Sequence, residues 1–201
     1  MKIEILYPEI CTLYGDKGNT MYLQKCLPDA EFVTTGLNEK PLFLKENIDM
    51  VYMCSMSEKS QELVLDRLMQ YKDEIAACMK DGKALFLLVG NSMELLGDYI
   101  KREDGTRVTG LGVVPGMYSV RQAPNRFNTL IKAKFNDMTL IGYTSRFAHT
   151  YGIPDDMTFC KVEIGQGSNP DTMNEGICKN RVIATYIHGP LLIQNPDFVH
   201  Y

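Results

Sequence analysis

Apolar positions follow two rhythms along this chain, and the rhythm changes near the middle. In the first half, solid apolar runs alternate with amphipathic stretches. Lys2–Tyr7 reads as a strand, Gly18–Leu27 as a helix stopped by Pro28, and Ala30–Thr35 as a short strand. Ile48–Cys54 is a strand after a loop. Leu63, Leu65, Leu68, Met69, Ile75, Ala76 and Met79 form one apolar stripe, which predicts a single helix over Lys59–Lys80 with a C-cap near Asp81-Gly82. Lys83–Val89 is the next strand, and Ser92–Leu96 predicts the opening of another helix. Alternating strands and helices imply a parallel sheet covered on both faces.

The second half predicts short strands: Gly112–Val114, Thr129–Phe135, Met138–Tyr143, Thr158–Ile164, Gly176–Cys178 and Val182–Ile187. Asn136-Asp137 and Lys179-Asn180 sit where hairpin turns belong. Gly165–Glu175 reads as a solvated polar loop, and Asn195-Pro196-Asp197 as the start of a very short final helix. No repeat or linker divides the chain.

Composition narrows the function. With 201 residues and 45% hydrophobic content, one domain can bury a substantial core. The net charge of −4 and scattered basic residues argue against nucleic-acid binding. No apolar run approaches the roughly 20 residues of a membrane span. The opening segment, with Glu4 inside it, reads as a strand and not a signal peptide, so a cytoplasmic protein is expected. Cys11, Cys26, Cys54, Cys78, Cys160 and Cys178 show no Cys-x-x-Cys spacing and read as free thiols. No metal site and no cofactor are expected.

The candidate chemistry centres on Leu85–Gly97. An apolar strand breaks at Gly90-Asn91-Ser92 and restarts, the strand–turn–helix pattern on which hydrolytic α/β enzymes carry a nucleophile. An ordinary turn, with Asn91 as helix N-cap, explains the same residues. Far downstream, His188 stands in Thr185-Tyr186-Ile187-His188-Gly189-Pro190. His149 is a further histidine, more simply read as a structural residue.

Four segments, in order, resemble class I glutamine amidotransferase domains of the cobyric acid synthase type. They are Leu13-Tyr14-Gly15-Asp16-Lys17-Gly18-Asn19, the Val89–Gly97 elbow followed by Gly110-Leu111-Gly112-Val113, Asn125-Arg126 before a strand, and Thr185–Pro190. The likeness spans nearly the whole chain. It is nearest to the stand-alone amidotransferase subunits that work beside a Mur-ligase-like protein in lipid II amidation. The resemblance implies an α/β fold in a single domain over residues 1–201. The sheet is expected to be open, mainly parallel and flavodoxin-like, with an antiparallel C-terminal portion.

In such domains a cysteine attacks the glutamine amide and a histidine moves the proton. Aligned on Leu96-Gly97, the family elbow puts the cysteine position at Gly90 and a glutamine position at Glu94, so the nucleophile is missing. The family's oxyanion glycines are replaced by Cys54-Ser55-Met56-Ser57, so that Cys54, Ser55, Met56 and Asn91 make up the oxyanion region. His188 matches the family histidine and Asp16 the orienting carboxylate. Arg126 matches an arginine expected to meet a substrate carboxylate. Cys54 and Ser92 are the candidate surrogates for a displaced nucleophile.

Two functions follow from the resemblance. One is a catalytically inactive amidotransferase-like subunit that binds a Mur-ligase-like or other ATP-dependent amide-forming enzyme, with glutamine or another small carboxylate as ligand. The alternative is an active glutaminase supplying ammonia to such a partner through Cys54 or Ser92. A flavodoxin-like small-ligand binder unrelated to glutamine is a third reading.

Overall fold

The computed structural model describes residues 1–201. Its main sheet has nine strands and two halves of opposite character. The first half is parallel, in the order β2 (Glu31–Thr35), β1 (Lys2–Leu6), β3 (Met50–Met53), β4 (Leu85–Val89), β13 (Val182–Thr185). The second half continues antiparallel from β13 through β12 (Asn174–Lys179), β11 (Thr158–Ile164), β8 (Phe127–Phe135) and β9 (Met138–Arg146). The parallel strands β3 and β13 are buried along their whole length and β4 from Phe86 onward, as sheets covered on both faces require.

The antiparallel half curls back on itself. Tyr143 of β9 pairs with His188, just beyond β13: Tyr143 N donates to His188 O at 3.1 Å, and His188 N to Tyr143 O at 2.9 Å. This return fixes His188 against both halves. The hairpins turn near the expected residues, with Asn136 left-handed before β9 and Asn180 and Arg181 both left-handed before β13. Consecutive positive φ angles are the signature of the tight turn that matches strand twist.

The stripe over Lys59–Lys80 forms two helices instead of one, α2 (Glu58–Met69) and α3 (Lys72–Asp81), broken at Gln70-Tyr71. The buried positions Gln61, Val64, Leu65, Leu68, Ile75 and Met79 stay in phase across the break, so periodicity alone cannot show it. Ser57 caps α2 by accepting from Ser60 N at 3.1 Å.

No α-helix follows the elbow. Gly90–Leu96 is a 3₁₀ stretch that ends at an extended Gly97. The expected strand Gly112–Val114 is irregular backbone that explains this. Leu111 N donates to Leu95 O, Val114 N to Leu96 O and Gly112 N to Gly97 O, taking the carbonyls a helix would have used. Gly97 and Gly110 allow the close approach: a Cβ on Gly110 would lie 2.1 Å from Gly97 O.

This crossing leads into a second sheet that the apolar rhythm did not reveal. Its order is β10 (Ala148–Tyr151), β7 (Tyr118–Arg121), β5 (Tyr99–Lys101), β6 (Arg107–Thr109). The Gly165–Glu175 segment is docked and not simply solvated: Ser168 and Asn169 are buried, and Asn169 Nδ2 donates to Thr150 O at 2.7 Å. The chain closes with α1 (Lys17–Cys26) packed against the short α4 (Leu191–Gln194), then a 3₁₀ turn at Pro196–His200. No helix is long and apolar enough to cross a membrane.

Candidate functional site

The elbow backbone is retained at Gly90. Its φ of +71° is one that side chains adopt only under strain, the conformation of a residue presented on a sharp strand-end turn. The space a side chain would take there is occupied from the neighbouring strand end. A Cβ on Gly90 would lie 1.9 Å from Ser55 Oγ and 2.9 Å from Ser55 Cβ. The Ser55 side chain fills the volume that a side chain at position 90 would need.

Ser55 joins Asp16 and His188 in a closed polar cluster. The Ser55 hydroxyl donates to Asp16 Oδ2 at 2.8 Å and stands 3.3 Å from His188 Nδ1. Asp16 Oδ2 and His188 Nδ1 are 3.9 Å apart. The backbone N–H of Ser145 donates to His188 Nε2 at 2.8 Å. That bond makes Nε2 an acceptor and leaves the neutral ring's hydrogen on Nδ1, facing Ser55 and Asp16. In this tautomer the imidazole cannot take a proton from Ser55.

Solvent is excluded. Asp16, Ser55 and His188 are 0%, 1% and 1% exposed. The rings of Tyr14 and Tyr143 cover His188, with centroids 4.5 and 4.8 Å from its own. Burial pushes His188 down to about 4, helped by the charge of Arg146. Burial also pushes Asp16 up to about 7, against the hydrogen bonds it accepts from Ser55 and the backbone.

The turn expected from the resemblance to be an oxyanion region is internally bonded as well. Met56 N donates to Asn91 Oδ1 at 3.0 Å, and Asn91 Nδ2 donates to Met56 O at 2.8 Å. The Asn91 amide therefore ties the two turns together like a strand pair and occupies the Met56 N–H. It does not act as the helix N-cap expected from the sequence, because no α-helix begins there.

The two surrogate positions point elsewhere. The Cys54 thiol donates to Cys11 O at 2.7 Å, and burial beside Asp16 raises it to about 12, opposite to what an attacking thiolate requires. Ser92 Oγ donates to Val89 O at 2.8 Å and Met53 O at 3.2 Å, spending its hydrogen on the turn. Arg126 is exposed, its guanidinium 4.5 Å over the Phe147 ring. His149 is buried edge-on to Phe127 at 4.6 Å.

Behind the elbow lies a buried network the sequence did not reveal. Glu94 accepts from Gln61 Nε2 at 2.8 Å and from the Tyr186 hydroxyl at 2.9 Å. Tyr186 in turn bonds Thr150, and Thr150 bonds Ser119. Gln61 Oε1 accepts from Arg121, which also donates to Glu62 Oε1 and Glu58 O. The one signal available was Glu94 standing inside an apolar elbow segment. No group of three His, Cys, Asp or Glu side chains is placed to hold a metal ion.

The sheet order and the elbow after β4 define a class I glutamine amidotransferase-like α/β domain. Residues 2–196 match the CobB/CobQ-like glutamine amidotransferase domain, and the chain belongs to that family. It is similar to subunit GatD of the glutamine-hydrolyzing lipid II isoglutaminyl synthase of Streptococcus pneumoniae, at 26% identity over 204 residues, which cover 100% of this chain and 78% of that one. The same subunit of Staphylococcus aureus is 26% identical over 192 residues, covering 94% and 77%. Among solved structures, PurLQS from Thermotoga maritima superposes with a TM-score of 0.65 at 12% identity, covering 93% of this chain and 86% of that one. The crystal structure of a glutamine amidotransferase gives 0.64 at 13% identity, covering 99% and 95%. At these identities the structural likeness speaks for the fold alone.

Proposed function

We propose that this chain is a glutamine amidotransferase-like subunit that does not hydrolyse glutamine and acts by binding an ATP-dependent amide-forming partner. The carrying observation is the complementarity of Gly90 and Ser55. No side chain at position 90 can form a thioester, and Ser55 closes the space where one would stand. His188 and Asp16 keep their places but turn toward Ser55 and are sealed from solvent. Loss of one oxyanion donor alone lowers turnover roughly 100- to 1000-fold. Here the nucleophile is missing as well. The relatives are named as subunits of lipid II isoglutaminyl synthase. A Mur-ligase-like partner in cell-wall precursor amidation, inside the cell, is accordingly the assembly proposed for this chain.

The test has two arms. Ammonia release from L-glutamine is measured for the purified chain, alone and with whatever ligase co-purifies from its native host. No release above background and a stable complex with an ATP-dependent ligase are expected. Glutamine-dependent ammonia release that Ser55→Ala abolishes would overturn inactivity and make Ser55 the nucleophile. Absence of any ligase from the native complex would overturn the partner.

A further inference from the structure

Three aliphatic side chains stand exposed on one face of the antiparallel half. Leu130 of β8, Ile164 of β11 and Ile141 of β9 are 75%, 60% and 48% exposed. The strand register places them side by side. Lys132 lies opposite Ile141 in β9 and opposite Ile164 in β11, so Ile164, Lys132 and Ile141 form one cross-strand row. Leu130 is two residues from Lys132 and stands on the same face, one row on. Lys161, Lys134 and Thr139 form the row on the other side. β8 shows the phase plainly: Leu130, Lys132 and Lys134 are exposed, and Ile131, Ala133 and Phe135 are buried. A bulge between Val162 and Ile164 sets Ile164 beside Lys132. Regular alternation from Lys161 would have turned that isoleucine inward.

The face is positive as well as apolar. Lys132 pairs with Glu163 at 2.8 Å. Lys134 donates to Thr139 Oγ1 at 2.7 Å, and neither it nor Lys161 is ion-paired. Three lysines against one glutamate stand out on a chain of net charge −4. Strand addition at the neighbouring edge is blocked. Along β9 the Ile141 N–H goes to Asn195, that of Tyr143 to His188 O and that of Ser145 to His188 Nε2. Whatever docks here meets side chains and not backbone.

We propose that this face is a peripheral docking surface for an anionic lipid bilayer. Contiguous exposed aliphatic residues mark an interaction site. The residue types choose between partners. Protein interfaces favour aromatic residues and arginine and are depleted in lysine. These rows hold leucine, isoleucine and lysine, and the Tyr143 ring on the same face is turned onto His188. Lysine stems lie along an apolar surface with their ammonium groups at the phosphates, while the aliphatic side chains enter the acyl boundary. A second copy of the chain fits worse, because a two-fold pairing through this face sets Lys134 and Lys161 against their own copies.

Co-sedimentation of the full chain with vesicles tests the surface. Vesicles of equal parts phosphatidylglycerol and phosphatidylcholine should bind the chain, and pure phosphatidylcholine at least about tenfold more weakly. Raising sodium chloride from about 0.05 M to about 0.5 M should release it. Leu130→Thr with Ile164→Thr, and separately Lys134→Glu with Lys161→Glu, should each weaken binding at least about tenfold. Leu63→Ala, at an exposed position of α2, should change nothing. The chain has no tryptophan, so Ile164→Trp gives a single reporter in an otherwise intact face. Its emission should shift to the blue with the anionic vesicles and not with the neutral ones. No binding to the anionic vesicles, equal binding to the neutral ones, binding that survives both pairs of substitutions, or an unshifted tryptophan would each overturn the surface. A dimer of the unmodified chain that the same substitutions dissociate would overturn it too, giving the face to a second copy. No readout involves glutamine or a ligase, so these outcomes stand apart from the proposed function.

Discussion

Asp16 and His188 stand 3.9 Å apart, yet between about pH 4 and pH 7 neither carries a charge for the other. Burial disfavours both ionised forms and moves the two groups in opposite directions past each other. The pair is a neutral hydrogen-bonded unit bridged by Ser55, and not an ion pair.

A pH prediction follows. Folded Asp16 keeps its proton up to about 7, whereas an unfolded carboxyl loses it near 3.8, so its contribution to stability falls as pH rises through that window. His188 acts with the opposite sign: it refuses a proton down to about 4, so stability rises with pH from there to 6.5. Asp16→Asn removes only the falling contribution. Urea unfolding should show the variant gaining on the parent by up to about 4 kcal/mol between pH 4 and pH 7, with no further gain above. A pH-independent difference would show that Asp16 is ionised in the folded protein.

The Gly90–Ser55 complementarity predicts strong coupling. Gly90→Cys alone should destabilise by about 2–4 kcal/mol, through overpacking against Ser55 and the left-handed backbone. Ser55→Gly alone removes a buried hydrogen bond to Asp16, about 1–2 kcal/mol. In the double variant the clash disappears, so its loss should be smaller than the sum by at least about 1 kcal/mol. Additive losses in chemical denaturation would show that the two side chains do not share one volume.

Part of this site was legible before any coordinates. The resemblance matched Asp16 and His188 to a carboxylate and histidine of one site, and the structure brings both within hydrogen-bonding range of Ser55, whereas Arg126 lies exposed over Phe147. The resemblance also set Gly90 and Cys54-Ser55-Met56 apart from the expected pattern, but it did not show that Ser55 turns toward Asp16 and His188 while Cys54 faces Cys11. Alternation along a strand end decides that, and a loop does not announce its phase. The helix expected after the elbow failed for a non-local reason: residues 111–114 take its carbonyls. Short strands β5, β6, β7 and β10 carry mixed polar sequence, with Ser119 and Thr150 buried by hydrogen bonds instead of apolar contact. Hydrophobic rhythm is silent on such elements.

Thiol reactivity gives a third check. Cys54 is buried with its thiol raised to about 12, and Cys11 beside it is raised as well. Cys26 is exposed. Iodoacetamide at pH 7.5, followed by peptide mass spectrometry, should label Cys26 first and leave Cys54 unmodified until the protein unfolds. Native labelling of Cys54 at or above the rate of Cys26 would mark an activated thiol and revive it as a nucleophile.

The Asn91 side chain carries the last prediction. It donates to and accepts from the backbone of Met56, so the strand-end turn after β3 and the elbow after β4 are joined by one amide. Asn91→Ala removes both bonds and leaves the Met56 N–H and carbonyl without partners in a part-buried site, a loss of about 2–3 kcal/mol. Asn91→Asp keeps an acceptor for Met56 N but sets a carboxylate against Met56 O, and should be no better than the alanine variant at neutral pH. The Met56 amide itself reports the change: its hydrogen exchange should accelerate in Asn91→Ala by far more than amides in β13 do. A stability loss under about 0.5 kcal/mol, with Met56 exchange unchanged, would mean that the two turns are held by other contacts. Met56 N–H would then be free to face a ligand, and the closed oxyanion region on which the inactive reading leans would be open.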